Sequence, residues 1–249
     1  MFKHLGIFVV LAALAITVTP AAGTMGAKHR FVSTVISTKP IAYFRLESTR
    51  GVSEVGSAKY SSMGGVTAAQ TCAPIDVPNN RCVALNGTDA YVATTQAGGV
   101  TTAASIMAWV DLSALPSKSG HFFYVAGESQ YGNDLDLQFE TDNVLRFYTA
   151  GGSNVAFTAD PTALINSWHM IVATVDTVSG ERDIYWDGKL AAHDSGGGSP
   201  NKTGAFLIGY STVFTGRWFT GRMDEVALWD RALSASTVSA LYSSTKPGH

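Results

Sequence analysis

The 249-residue chain reads as an all-β protein, a two-sheet antiparallel sandwich with one short C-terminal helix, and three observations point there. Apolar and polar residues alternate over short runs rich in β-branched and aromatic side chains, the period-2 pattern of strands that bury one face. Clusters of Gly, Asn, Asp and Ser separate these runs at intervals that suit a sandwich. Helical periodicity is nearly absent, and no unit of roughly 20–50 residues repeats, which argues against a propeller or solenoid.

Met1, Phe2, Lys3 and His4 precede an apolar run over 5–18 and then the small residues Ala21, Ala22, Gly23 and Thr24, the three-part layout of a secretory signal peptide over 1–24. The apolar run is shorter than the ~20 residues a membrane-spanning helix needs. Export with cleavage is therefore expected, giving a secreted or surface-associated protein with no membrane span after cleavage. Residues 25–38 read as an N-terminal linker and 39–249 as one domain, because nothing in the composition divides them.

Strands are predicted over 41–46, 81–85, 90–94, 105–112, 121–127, 134–140, 144–148, 155–158, 168–176, 183–186, 190–193, 205–209 and 222–229. In 168–176, Met170 and Val172 alternate with Ile171, Ala173 and Val175, so both faces are apolar and a central strand is implied. In 223–229 the same alternation puts Asp224 and Glu225 on opposite faces, each an acid among apolar neighbours that needs a partner. Asp187-Gly188 tolerates the positive φ of a type I′ hairpin turn, and 139–145 forms a second, longer reversal. The Gly-rich stretch 195–203 is expected to be a mobile loop. Ser234 caps a helix over 235–242 in which Val238, Leu241 and Tyr242 share one face.

The net charge is −2, or −3 after loss of Lys3 with the signal segment, and no three basic residues run together. Nucleic acid, which demands a clustered basic face, is excluded as the expected partner. Cys72 and Cys82 are the only cysteines and lie either side of a nine-residue loop, so in an exported chain they are expected to be disulfide-bonded. No second Cys or His pair stands at zinc-ligand spacing.

Four segments taken in order resemble the laminin-G-like jelly-roll family of concanavalin A-like lectins and glucanases. They are Lys-Pro-Ile-Ala-Tyr-Phe-Arg-Leu-Glu over 39–47, Ala-Leu-Asn-Gly-Thr-Asp-Ala-Tyr-Val over 84–92, Trp-His-Met-Ile-Val-Ala-Thr-Val-Asp over 168–176 with Ile-Tyr-Trp-Asp-Gly over 184–188, and Gly-Arg-Met-Asp-Glu-Val-Ala-Leu-Trp-Asp-Arg-Ala-Leu-Ser over 221–234. The resemblance covers roughly residues 39–243 and implies a curved two-sheet jelly roll whose N- and C-terminal strands pair. Members include glycan binders, adhesion modules and appendages of enzymes, so the likeness carries a fold further than a function. By position it also implies a structural Ca²⁺ held by Glu47, the carbonyls around Asn86 and Gly87, and Asp224, since Ca²⁺ gathers oxygens from distant segments. The alternative is that Asp224 pairs with Arg222, Arg231 or Arg45, or caps a turn.

Glycoside hydrolases on similar folds carry two carboxylates on one strand, which draws attention to Asp134, Asp136 and Glu140. At ~3.3 Å per residue, Asp134 and Glu140 lie ~20 Å apart and Asp136 and Glu140 ~13 Å, beyond the roughly 5–9.5 Å that glycoside hydrolysis uses; Asp134 and Asp136 are close enough for an inverting pair but lack the surrounding Glu pattern of that hydrolase family. The three acids with Gln138 read instead as the polar face of a half-buried strand whose Leu135, Leu137 and Phe139 face the core. Sugar sites stack pyranose rings on aromatic side chains beside amides and carboxylates. Tyr131, Tyr210, Phe214, Trp218 and Phe219 fall in or near loops, with Asn133 and Asp134 as hydrogen-bonding partners, whereas Trp109, Trp168, Trp186 and Trp229 fall in strands. The histidines are scattered and no serine stands on a nucleophile elbow. The expectation is a non-catalytic binding or adhesion module for carbohydrate or an extracellular protein; a polysaccharide hydrolase or lyase, or a self-assembling envelope component, is the alternative.

Overall fold

The computed structural model describes residues 30–97, 100–128, 135–151, 154–200 and 204–245. Their strands are β1 (Ala42–Phe44), β2 (Arg50–Val52), β3 (Lys59–Met63), β4 (Thr67–Ala69), β5 (Cys82–Asn86), β6 (Tyr91–Ala97), β7 (Ala103–Leu112), β8 (Phe123–Glu128), β9 (Leu135–Phe139), β10 (Val144–Thr149), β11 (Val155–Thr158), β12 (His169–Asp176), β13 (Arg182–Trp186), β14 (Lys189–Asp194), β15 (Ala205–Ile208) and β16 (Thr220–Trp229). Four short helices accompany them: α1 (Arg30–Ser37), α2 (Pro116–Ser119), α3 (Pro161–Leu164) and α4 (Ala235–Ser243).

The strands form two eight-stranded antiparallel sheets, one in the order β14-β13-β12-β7-β16-β5-β4 with β1 also on β16, the other β11-β10-β9-β8-β15-β6-β3-β2. β16 is long enough to take two partners along one side. Its residues 220–223 pair with β5 and its residues 226–228 with β1, which joins the first strand to the last. The sandwich expected from the alternation is therefore present, and β12 is central in its sheet, between β13 and β7.

The main core lies between the sheets and includes Phe44, Ile106, Val110, Phe139, Phe147, Ile171, Ile184, Phe206 and Leu228. A second apolar layer covers the outer face of the first sheet, where Met107, Trp109, Met170, Val172 and Trp229 meet Phe31 and Val35 of α1 and Val238 and Leu241 of α4. This cover explains why β12 is apolar on both faces. It also corrects the reading of 25–38 as a linker, because 30–37 is a docked helix. Its β-branched Val32, Thr34, Val35 and Ile36 are weak helix formers, so burial of Phe31 and Val35, rather than propensity, fixes the helix.

Two local readings change. Four residues of β16, Asp224 to Ala227, stand opposite three on β7, Trp109 to Met107, a bulge in which Glu225 adopts φ 52°. The alternation breaks there, so both acids project from the outer side of the first sheet instead of opposite faces. Within the Gly-rich stretch, the described part is pinned: Gly197 donates its N–H to the Gly180 carbonyl and Ser199 exchanges two backbone bonds with Ala150. The Asp187-Gly188 turn has φ 49° and 79°, as a type I′ turn requires.

Candidate functional site

Helices close the outer face of the first sheet, whereas no described helix lies over the outer face of the second. Alternation along β9 sends Leu135, Leu137 and Phe139 into the core and Asp136 and Gln138 to the opposite face, where both are nonetheless fully buried, so the strand is not the half-buried one its alternation predicts. Register then places Tyr124 of β8 and Arg146 of β10 on either side of Gln138, and Tyr148 of β10 beside Asp136. A polar row crosses the sheet as a result. The Tyr124 hydroxyl donates to Asp136 Oδ1 at 2.7 Å, the Gln138 amide donates to Glu140 Oε1 at 3.1 Å, and the Tyr148 hydroxyl donates to the same oxygen at 2.5 Å. Arg146 pairs with Glu140 at 3.0 Å and with Asp142 at 2.7 Å.

The segment between β15 and β16 folds over one end of this row. An isolated bridge between Tyr210 and Trp218 closes it, and another ties Arg217 to Phe122. The Tyr210 and Trp218 rings stack with centroids 3.7 Å apart and planes 12° from parallel, and Tyr91 of β6 leans on both at 5.2 and 6.1 Å. On the other flank the Arg217 guanidinium lies 3.7 Å over Phe214 and 5.1 Å from Phe122, donating to Gln138 Oε1 at 2.9 Å.

Burial and neighbouring charge act on these groups together. Burial and the Asp136 carboxylate hold the Tyr124 phenol well above its ordinary range, and burial with the Glu140 bond raises Tyr148. Burial lowers the Arg217 guanidinium, an effect that Asp136 and Glu140 oppose. The bidentate bond from Arg146 pulls Asp142 down to about 2.

Of the aromatic loop residues, Tyr210, Phe214 and Trp218 are half-buried in this one lobe, whereas Phe219 is fully buried and seals the core. Tyr131, Asn133 and Asp134 lie outside the described residues. Asp136 and Glu140 share the outer face with Gln138 between them, and each is engaged by its own partners. Sequence reasoning passed over Tyr91, Tyr124, Tyr148 and Arg217. The first three were legible as the non-core positions of alternating strands; Arg217 sits in a loop whose path no periodicity reveals.

The expected calcium set is not gathered. Asn86 faces Thr220 across the β5–β16 ladder, four residues from Asp224, a separation of ~13 Å along the strand. The Asn86 side-chain oxygen already accepts the backbone N–H groups of Thr88, Asp89 and Ala90, closing its own turn around Gly87. Glu47 pairs with Arg45 and accepts the Arg81 N–H at 3.1 Å. Asp224, fully buried, accepts from Ala73 N at 3.2 Å and Asn80 Nδ2 at 2.7 Å, while its neighbour Glu225 takes Arg45 at 3.2 Å and the Tyr43 hydroxyl. Of the three arginines proposed as partners for Asp224, Arg222 pairs with Asp111, Arg231 with Asp230 and Arg45 with Glu225 and Glu47. Burial raises Asp224 well above the usual carboxylate range, with the Glu225 charge adding to it. Burial also lifts Glu225 to about 7, against the pull of Arg45 and Tyr43. Cys72 and Cys82 are bonded with Cα atoms 5.5 Å apart, fastening the segment after edge strand β4 to the start of β5.

Residues 86–239 match the concanavalin A-like lectin/glucanases superfamily. The chain belongs to that family. Among solved structures, this superfamily domain is similar to the receptor binding domain of a botulinum neurotoxin C/D mosaic serotype, with a TM-score of 0.66, 12% identity, and 83% of this chain and 51% of that one covered. The botulinum neurotoxin type G receptor binding domain gives 0.63, 14%, 82% and 51%, and the serotype D binding domain 0.65, 11%, 82% and 51%. This chain thus spans about half the length of those proteins, and at such identities the likeness is one of fold. No curated protein sequence matches the chain.

Proposed function

We propose that the chain is a secreted or surface-held, non-catalytic module that binds carbohydrate on the outer face of the second sheet. The Tyr91, Tyr210 and Trp218 rings beside the amide, phenol and carboxylate row carry this reading. A pyranose offers an apolar C–H face and a rim of hydroxyls; the rings supply a matching apolar surface and the half-buried Glu140, Arg146 and Tyr148 the directional hydrogen-bonding groups, while Tyr124, Asp136 and Gln138 are buried beneath and hold them in place. The disulfide suits an oxidising compartment. That proteins of similar fold are receptor binding domains agrees with recognition rather than turnover. Asp136 and Glu140, ~13 Å apart along one strand, do not have the spacing of a glycosidase pair.

Glycan-array retention with no product released is the expected result, and Trp218→Ala is expected to abolish retention while leaving the thermal unfolding midpoint within a few degrees of wild type. A reducing-end assay supplies the opposing outcome: sugar-polymer turnover that Asp136→Asn removes would replace binding with hydrolysis.

A further inference from the structure

We infer that the lobe carries an anion subsite centred on Arg217, so that the ligand is a glycan bearing an acidic group, a uronate carboxylate or a sulfate ester; this rests on the carbohydrate-binding reading above. Arg45, Arg146, Arg182, Arg222 and Arg231 each pair with a carboxylate. Among the described residues, Arg217 is the one arginine withdrawn from full exposure that has no carboxylate within ion-pair distance. Its hydrogen-bond partner is the neutral amide of Gln138. Asp136 and Glu140 act on it through space, but Tyr124 engages Asp136, and Tyr148 and Arg146 engage Glu140. A guanidinium withdrawn from water without a counter-ion is costly, and a ligand oxyanion would supply one through a fork of N–H donors.

The surroundings suit a sugar. Arg217 borders a cleft of about 380 Å³ lined also by Gly120, His121, Phe122, Thr141 and Phe214. The guanidinium lies against the Phe214 ring and near that of Phe122, contacts that restrict its direction. His121 Nδ1 lies 3.1 Å from the Ser119 carbonyl, so the ring proton resides there and Nε2 is an acceptor. That Nε2 is buried with no partner among the described residues, a place at the cleft wall for a ligand hydroxyl to donate.

Isothermal titration with tetragalacturonate, a sulfated galactan tetrasaccharide and neutral galactotetraose tests the subsite. One of the two acidic sugars is expected to bind more tightly than the neutral one, which identifies the anion, and Arg217→Gln is expected to weaken that binding by about tenfold or more. Histidine-detected NMR on the wild-type protein, with the same acidic sugar, is expected to move the His121 Nε2 resonance and keeps the test valid if the variant is unstable. Equal affinity for charged and neutral sugars, an unchanged Arg217→Gln, or an unmoved His121 signal overturns the subsite. Should neutral galactotetraose alone bind, and Trp218→Ala abolish it, the subsite fails and the binding module stands; if none of the three binds, both fail.

Discussion

Replacing Glu128 by glutamine isolates the cost of a carboxyl buried without a partner. Glu128, at the end of β8, lies opposite Phe206 of β15 and shares its side of the sheet, the side that faces the core. It is fully buried, and neither carboxyl oxygen has a hydrogen-bond partner among the described residues. Burial alone raises it from 4.5 to about 8. A carboxyl raised on folding is neutral in both states at low pH. The unfolded chain then releases its proton first, so stability is complete below about 4.5 and is lost progressively as pH rises to about 8. At 1.36 kcal/mol per pH unit, that interval corresponds to a loss of roughly 5 kcal/mol, an upper figure because a buried charge draws in water and relaxes its surroundings. Urea unfolding followed by tryptophan fluorescence at pH 5, 7 and 9 measures it. Glu128→Gln is expected to differ least from wild type at pH 5 and to exceed it by a few kcal/mol at pH 9. Glu225 titrates in both proteins and drops out of the difference. A difference that stays constant across the three pH values would refute the reasoning.

Other perturbations probe separate parts of the molecule. Changing both Cys72 and Cys82 to serine should cost about 2–3 kcal/mol in the same unfolding assay, the loop entropy released when so short a ring is opened. Arg45→Ala leaves Glu225 buried beside Asp224 without its cation; a loss of about 3–5 kcal/mol is expected near pH 8, shrinking toward pH 5 as Glu225 takes up a proton. Gly188→Ala should destabilise by about 1–3 kcal/mol, measured by thermal unfolding, because the residue holds φ 79° and the added carbon would meet Tyr242 Cβ at 2.6 Å.

Strong alternation made β7, β9, β12 and β16 legible, since each sets apolar residues against a core. β2, β3 and β4 were not, because Arg50–Val52, Lys59–Met63 and Thr67–Ala69 are short, largely exposed and at or near sheet edges, where little apolar patterning is needed. α1 escaped because tertiary docking, not helix propensity, holds it. The aromatic part of the candidate site was visible as rings in a loop. Its polar part was half visible: the outward face of β9 followed from period 2, but which strands lie beside it, and hence the meeting of Tyr124, Gln138, Arg146 and Tyr148, is a matter of long-range register. The family likeness places Asn86 and Asp224 in one calcium set, whereas the ladder that pairs Asn86 with Thr220 keeps them apart.

α1 and α4 touch one another while covering the first sheet, so the described chain enters and leaves on the back of the sandwich, away from the Trp218 lobe. Coupling the domain through the ends of α1 or α4, to a sensor chip or a fusion partner, would present the proposed sugar-binding face outward. Surface-tethered and freely diffusing protein should then show the same intrinsic affinity, and closely spaced copies on one support could engage a long polymer together.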